Sequence, residues 1–582
     1  MRFSEVVTVL YAIEKSSSRL DITRILAELF ERSTEGEAKI IAYLALGELR
    51  PAYQGSTAFN LAERSLYEVV ARLRAMTVAE VRKAVVDSGD IGDVIAEGRW
   101  HIRTHLAVTD VYDALCGIES IAGTGSQEGR IAACQKLCES LDPKSAGIVA
   151  RIIVGKLRLG FSDMTVIDAV SWMLVGDKSA REVVERAYNI CADIGDIVAR
   201  AKRGGLSLLK YTDVVIGVPI RPAAAERLPS AQEIFAKLGR GCMAQPKIDG
   251  FRVQVHVQKG GKSRQVHCFS RNLQNMSSLF PEIEKVLKGC SETDYIAEGE
   301  AVAYNEETGE FFPFQETVKR KRKHGISEAA AAYPLRLLLF DILYYQGKSL
   351  LDSPYHVRYK ALQVLVRQCA IAFAGVVVCI EERAIQSADE LEHYFLQMVG
   401  QGLEGLVVKR NDAVYQAGKR NFNWIKLKRQ EIGHLEDTID AVVLGYYRGK
   451  GRRAKFGIGA FLVGVFDPEQ DSYVTIAKIG TGLSDEMWIA LKRMCDSLHV
   501  AGRPHNIVCA KSLYPDVWIA PELVVEIAAD EITRSPIHTA AQDNAGTGLA
   551  LRFPRIIKIR SDKSASDATT IDEIRSLYTG QR

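Results

Sequence analysis

No Cys-x-x-Cys pair occurs among the eleven cysteines of this sequence, and the two nearest one another, Cys134 and Cys138, stand one helical turn apart in an apolar stretch. That spacing suits core packing and argues against a zinc knuckle or the disulfide framework of a small secreted domain. A long hydrophobic run is also missing: the roughly 18 consecutive apolar residues of a membrane-spanning helix occur nowhere. The start, Met1-Arg2-Phe3-Ser4-Glu5-Val6-Val7, is not a charged leader followed by an apolar stretch. We therefore expect a reduced, cytoplasmic protein that is neither secreted nor in a membrane. An excess of charge is lacking too, since 75 basic and 72 acidic residues leave a net charge of +3. The total thus makes no case for a polyanionic partner, and only local patches can. Apolar residues are not scarce: 47% are hydrophobic and 25% charged, so no segment is poor enough in apolar side chains to be disordered. At 582 residues the chain exceeds one ordinary domain. With roughly 100 to 200 residues per domain, it should hold about three or four.

From residue 1 to about 215 apolar residues recur at three and four, as in Ile22-Thr23-Arg24-Ile25-Leu26-Ala27-Glu28-Leu29-Phe30, which predicts an all-α domain. Between 216 and 233, Ile216-Gly217-Val218-Pro219-Ile220-Arg221-Pro222 breaks that period and reads as a linker. From 234 to 430 short β-branched strands such as Arg252-Val253-Gln254-Val255-His256-Val257 alternate with glycine turns and helices, an α+β pattern. From 431 to 582, Ala441-Val442-Val443-Leu444-Gly445-Tyr446-Tyr447 and further short strands predict a small β-barrel with a short C-terminal tail.

Among residues able to carry chemistry, Lys247 in Pro246-Lys247-Ile248-Asp249-Gly250 comes first. A lysine amine attacks phosphorus only when neutral, so it needs burial or neighbouring cations to lower its pKa. Lys426 and Lys428, in Trp424-Ile425-Lys426-Leu427-Lys428, offer such cations on one strand face. Glu298-Gly299-Glu300 and Glu404, in Gly402-Leu403-Glu404-Gly405-Leu406-Val407-Val408-Lys409, supply carboxylates of the kind magnesium prefers. Each motif alone also fits a bland reading, a strand-end lysine beside a turn or a solvated strand end.

Order and spacing add what the single motifs lack. The chain resembles the nucleotidyltransferase superfamily of ATP-dependent ligases and capping enzymes in six collinear segments: Lys247-Ile248-Asp249-Gly250-Phe251-Arg252, Phe269-Ser270-Arg271, Ala297-Glu298-Gly299-Glu300, Leu338-Leu339-Phe340-Asp341-Ile342-Leu343, Glu404-Gly405-Leu406-Val407-Val408-Lys409 and Trp424-Ile425-Lys426-Leu427-Lys428. A seventh, Arg552-Phe553-Pro554-Arg555-Ile556-Ile557-Lys558-Ile559-Arg560-Ser561-Asp562-Lys563, ends the expected barrel. The resemblance implies that Lys247 is the adenylated nucleophile. It implies that Arg252 and Arg271 hold ribose and phosphates, for which a planar guanidinium fork is suited. In the same way Glu300 resembles the ribose-binding carboxylate and a metal ligand, Phe340 the ring stacked on adenine, Glu404 the metal-binding carboxylate, and Arg420, Lys426 and Lys428 the triphosphate-binding cations. Archaeal-type ligases place Glu two residues before the nucleophile; Gln245 stands here, which bears on how strictly the base is read. Arg555, Arg560, Asp562 and Lys563 resemble the motif that closes over the nucleotide in the first step; a charged barrel rim is the alternative.

The first 215 residues resemble the all-α DNA-binding domain of archaeal and eukaryotic replicative ligases, which favours a DNA acceptor over RNA. Gly123-Thr124-Gly125-Ser126-Gln127 is a turn opening a helix, whose free N–H groups can hold a phosphate. Lys156 and Arg158 face either the minor groove or solvent, and Arg448-Gly449-Lys450-Gly451-Arg452-Arg453 is a basic loop suited to tracking a backbone. The resemblance thus implies a three-domain, OB-fold-ending ATP-dependent DNA ligase of archaeal type. Its cofactors would be ATP and Mg2+, with Mn2+ as a substitute, and its substrate nicked duplex DNA. It would be a monomer associated with the nucleoid; a sliding clamp is a further candidate partner, although no clamp-binding peptide is evident. Segments near Pro219–Pro222 and Glu431–Asp437 are expected to act as hinges. An RNA-directed nucleotidyltransferase and a catalytically silent DNA-binding protein are the rival readings.

Overall fold

Apolar periodicity becomes helix through most of the first 210 residues. The predicted Ile22–Phe30 run lies inside the helix Arg19–Arg32, started by Ser18, whose side chain accepts from the Asp21 N–H. Asp142 caps the helix Pro143–Ile153 by accepting from the N–H groups of Lys144 and Ser145, with Pro143 in the first turn, where its missing N–H has no partner to lose. These helices close over one core that includes Phe3, Leu26, Phe30, Ile148 and Val198. The computed structural model describes all residues except 17, 101–104, 158, 260–263, 290–292, 306–309, 313–315, 318, 321–324, 374, 429–437, 450–455, 544–545 and 581–582. No helix among the described residues is long and apolar enough to cross a membrane. Cys134 and Cys138 are buried free thiols, while Cys369 is disulfide-bonded, against the expectation of wholly reduced cysteines. Its partner lies outside the described residues.

The chain forms two compact units, Met1–Lys428 and Arg429–Arg582. After the helices, the first unit holds the strands β1 (Ala224–Arg227), β2 (Cys242–Pro246), β3 (Phe251–Gln258), β4 (Gln265–Ser270), β5 (Tyr295–Ala303), β6 (Leu335–Tyr345), β7 (Lys348–Ser349), β8 (Val377–Cys379), β9 (Arg383–Ile385), β10 (Gly405–Lys409) and β11 (Arg420–Lys428). They make two sheets, one in the order β1-β11-β10-β2-β9 and one in the order β4-β3-β5-β6-β7, with β8 beside β6. The helices Ala231–Leu238 and Ala388–Gly400 cover the first sheet through Ile234, Leu391 and Phe395. The helices Pro281–Gly289 and Tyr355–Gln368 cover the second through Ile283, Leu287, Tyr359 and Leu362. Apolar residues of both sheets, among them Ile296, Leu343 and Trp424, form a further cluster with Phe340 packed against it.

The stretch read as a linker is partly built into this unit, since Ala224–Arg227 pairs in parallel with β11 and Ala231–Leu238 is helical. Upstream of the strand, the Gly217 N–H donates to His256 Nδ1 at 3.0 Å, and the Ile220 N–H donates to Gln254 Oε1 at 2.8 Å. The Ala223 N–H donates to Tyr415 Oη at 2.9 Å. Arg221 binds Asp163 of the helical region at 2.7 Å. The segment is a strap fastened at both sides.

The second unit is sheet-rich. It comprises β12 (Ile439–Arg448), β13 (Ile458–Asp467), β14 (Ser472–Ile479), β15 (His499–Val500), β16 (Ile507–Val508), β17 (Val517–Ile519), β18 (Val524–Ala528), β19 (Glu531–Ser535), β20 (Gly548–Arg552) and β21 (Arg555–Ile559). One sheet runs β15-β17-β12-β13-β14-β16, with β18 between β12 and β21, and β19 and β20 form a separate ribbon. Trp488 and Leu491 of the helix Asp485–Ser497 fill its core with Phe461 and Val463. The joint expected at 431–437 lies outside the described residues.

Candidate active site

Strand register assembles the site around Lys247. Gln245, in β2, and Lys247, the residue that follows the end of that strand, both line a cavity of about 470 Å³. β10 runs antiparallel to β2, with Leu406 opposite Pro246, and the Lys247 N–H donates to Gly405 O at 2.8 Å. Gly405 has φ +137°, and a Cβ there would lie 2.2 Å from Leu427 O, so only glycine fits between the strands. Because Gly405 also pairs with Lys428 of β11, Glu404 is delivered beside two lysines at once. Its Oε2 pairs with the Lys247 ammonium and its Oε1 accepts from Lys428 Nζ at 3.1 Å. Burial pushes the Glu404 carboxyl up, but the two ammonium groups outweigh it and hold it below the ordinary carboxylate value.

The remaining predicted nucleotide contacts, Arg252, Arg271, Glu300, Phe340, Arg420, Lys426 and Lys428, line the same cavity. Burial pushes the Glu300 carboxyl up to about 7, opposed by Lys247 and Arg252. Burial also lowers the Lys426 amine below its usual value, reinforced by Arg420, Lys428, Lys247 and Arg271. The cavity therefore concentrates positive charge. In its lining Phe340 meets Trp424 edge to face with centroids 6.0 Å apart, and the Arg252 guanidinium lies 5.4 Å from the Phe340 ring. Arg252 is not free: it donates to Glu298 Oε2 at 2.9 Å and to Ala223 O at 2.7 Å. The arrangement suits an aromatic base against Phe340 and an anionic tail against the lysines and arginines, with an amine at the junction. Among the described residues no group of three or more His, Cys, Asp or Glu is poised to hold a metal. A magnesium ion that arrives with phosphates needs only one or two protein carboxylates, and Glu404 and Glu300 fit that requirement.

Residues 222–428 match the model of the ATP dependent DNA ligase domain, residues 2–171 that of the DNA ligase N terminus, and residues 454–563 that of the ATP dependent DNA ligase C terminal region. A relative in Dictyoglomus turgidum, described as a probable DNA ligase, is 42% identical over 585 residues, covering 100% of this chain and 98% of that one. The DNA ligase of Pyrobaculum calidifontis is 36% identical over 597 residues, with 100% and 99% covered. The chain belongs to the ATP-dependent DNA ligase family. It is therefore an enzyme that forms phosphodiester bonds at the expense of ATP. A solved structure described as Pmar-Lig_PreS3 shares the fold, with a TM-score of 0.56 at 18% identity over 95% of this chain and 99% of its own.

Other residues expected to serve this ligase lie outside the cavity. Gly123 (φ +91°) and Gly125 (φ +76°) make the turn into the helix Ser126–Glu139, with Gln127 exposed and Ser126 half-buried. Lys156 is ion-paired with Glu63, with its side chain 37% exposed. Arg448 is exposed at the end of β12; Arg158, Lys450, Arg452 and Arg453 lie outside the described residues. In the second unit, Arg560 binds Asp440 at 3.1 Å, Glu526 at 3.3 Å and Asp562 at 2.7 Å. Lys563 binds Asp440 at 2.6 Å and Arg555 binds Asp530 at 2.9 Å. These motif residues are held by carboxylates of their own unit.

The partners of several side chains that shape the cavity had escaped the sequence reading. Glu298 is fully buried between Arg252, Gln254 and Tyr415. Its parity with Glu300 on β5 was the available signal. Lys409 is buried, donates to Phe340 O at 2.9 Å, and burial lowers its amine to about 8. Asp341, next to Phe340, forms a buried pair with Arg358 at 2.8 Å. Nothing in the sequence links those two positions.

Proposed function

We propose that this ligase seals nicks in duplex DNA by three in-line displacements with Lys247 as the carrier of AMP. Lys247 attacks the α-phosphorus of ATP and pyrophosphate leaves; the 5′-phosphate of the nick then takes the AMP from the lysine; the 3′-hydroxyl finally displaces AMP. The observation that carries this reading is the Lys247 amine standing in one cavity with Phe340, six other basic side chains and Glu300, and ion-paired with Glu404. The catalytic work is positioning and charge neutralisation. Arg271, Arg420, Lys426 and Lys428 hold the triphosphate, Phe340 stacks on the base, Gln245 meets the base edge and Glu300 meets the ribose. Glu404, with help from Glu300, would hold magnesium, or manganese in its place, which would supply neutralisation of the phosphate charge.

The assignment extends to architecture. Residues 1–215 serve as the DNA-binding domain and 234–430 as the adenylation domain, and 431–582 form an OB-fold barrel in which β12 is the shared central strand. Gly123, Ser126, Gln127, Lys156, Arg158 and the loop Arg448–Arg453 contact DNA phosphates, and Arg555, Arg560, Asp562 and Lys563 reach the nucleotide once freed from their carboxylates. The enzyme acts as a monomer. Incubation of the full chain with α-labelled ATP and magnesium should leave acid-labile label on the protein, and Lys247→Ala should abolish it. An unlabelled wild-type chain, or equal label in the variant, overturns the carrier role. Joining of nicked RNA but not nicked DNA overturns the substrate.

A further inference from the structure

Behind Gln245 lies a short hydrogen-bond chain that the nucleotide chemistry has not used. Gln245, in β2, is 2% exposed and lines the same cavity as Lys247. Its amide nitrogen donates to Tyr355 Oη at 2.7 Å, and Tyr355 Oη donates to Glu382 Oε2 at 2.6 Å. A phenol has one proton. Once Tyr355 gives it to Glu382, only lone pairs are left toward Gln245, so Gln245 must approach with its nitrogen. An ionised carboxylate can only accept, and that fixes the direction of the whole chain. Glu382 also lines a second cavity, together with Lys360 and Arg367. Burial raises the Glu382 carboxyl above the ordinary carboxylate value, with a smaller push from Asp341, and the hydrogen bonds from Tyr355 and Gln245 and the Lys409 ammonium oppose it.

The consequence concerns the end of the amide that is left over. The two ends of an unanchored Gln are nearly the same shape, so it serves a base carrying an amino group and a base carrying a carbonyl about equally well. Anchored by its nitrogen, Gln245 has only Oε1 to offer. We propose that Tyr355 and Glu382 are positioning residues that hold the Gln245 amide oxygen toward the nucleotide, so that the pocket takes a purine with an exocyclic amino group and rejects one with a carbonyl at the same edge. This rests on the reading that Gln245 meets the base edge. It explains how an amide can serve where a carboxylate, which has no donor end, needs no such support.

ATP and inosine triphosphate test the idea, because they differ at that edge by amino against carbonyl and share the rest of the triphosphate. The full chain is labelled with each, and the ratio of the two adduct-forming rates is the readout, with a thermal scan of each variant. Wild type should favour ATP by about a hundredfold or more, since a buried polar group without its partner discriminates strongly. Glu382→Gln can donate to Tyr355 as well as accept, so the chain can run either way and the ratio should fall by about tenfold. Tyr355→Phe removes the anchor and should lower the ratio too. Gln245→Ala should bring the ratio close to one, and Glu382→Gln added to it should change nothing further. If Gln245→Ala lowers the ratio but neither Glu382→Gln nor Tyr355→Phe does, the positioning role is wrong while Gln245 still reads the base. If Gln245→Ala leaves the ratio at its wild-type value, the reading of Gln245 itself fails. Equal slowing with both nucleotides in Glu382→Gln and Tyr355→Phe marks a structural role only and overturns the proposal.

Discussion

Gly250 shows how tightly one residue can bind chemistry to backbone. A Cβ at this position would lie 2.5 Å from Ala301 O and 3.1 Å from Glu300 Cγ. A carbonyl oxygen locked in the β3–β5 ladder cannot turn aside as the tip of a flexible side chain would, so the loop after Lys247 has to move instead. Gly250→Ala should therefore slow lysine-AMP formation by about 10- to 100-fold, as displacements near an ångström do. Overpacking should cost about 1–3 kcal/mol of stability. Initial rates of label transfer with a thermal scan check both, and an unchanged rate would show that the loop has slack. At this scale the sequence was informative where a residue type announces its chemistry, as Lys247, Arg271 and Lys426 do. It pointed to Glu298 only as one carboxylate of a motif, without its buried partners, and was silent on Tyr355 and Glu382. Their significance comes from what they touch, and Tyr355 lies 110 residues from its partner Gln245.

Among the elements, the strap 216–223 departs most from what its composition implied. Two prolines and a glycine do break the helix, and that much was legible. The fastening was not, because it comes from the polar face of β3, and alternation alone does not say that Gln254 and His256 are buried. Both faces of that strand are buried: Val253, Val255 and Val257 pack into the core, while Gln254 and His256 bind the strap. His256 accepts from the Gly217 N–H through Nδ1, so its proton sits on Nε2, toward Gln254 Oε1 at 2.9 Å. Burial, with a smaller push from His267, lowers its pKa from 6.5 to about 3. The unfolded chain thus binds a proton here that the folded chain refuses. The stabilising contribution of neutral His256 is fully present above pH 6.5 and is lost as the pH falls toward 3. His256→Asn keeps an acceptor for Gly217 and removes the titration, so its stability should vary less across that window, by up to a few kcal/mol. Denaturant melts at pH 7 and pH 4 test this, and parallel losses in the two proteins would remove His256 from the account.

For the whole molecule, the question is how a chain with a net charge of only +3 holds a polyanion. A weak total field cannot supply the attraction, so affinity must come from a limited number of phosphates neutralised at close range, each releasing counterions. The slope of log K against log salt then reports how many phosphates are neutralised and takes little notice of net charge. Domain order and the collinear motifs were readable along the chain because they are local in sequence. The set of basic residues that touch DNA together was not, because it depends on three-dimensional placement. Lys156 illustrates this: it reads as a candidate DNA-binding residue, but it is already engaged with Glu63. The loop carrying Lys450, Arg452 and Arg453 therefore provides the sharper test. Replacing all three by Ala should weaken binding to nicked duplex at low salt and flatten the slope by about 0.9 for each phosphate no longer neutralised. Lysine-AMP formation without DNA should be nearly unchanged, because these residues are assigned to DNA and not to ATP. A lower affinity with an unaltered slope would mean that the loop acts through the shape of its unit, and a slope and affinity both unaltered would return it to plain solvated surface.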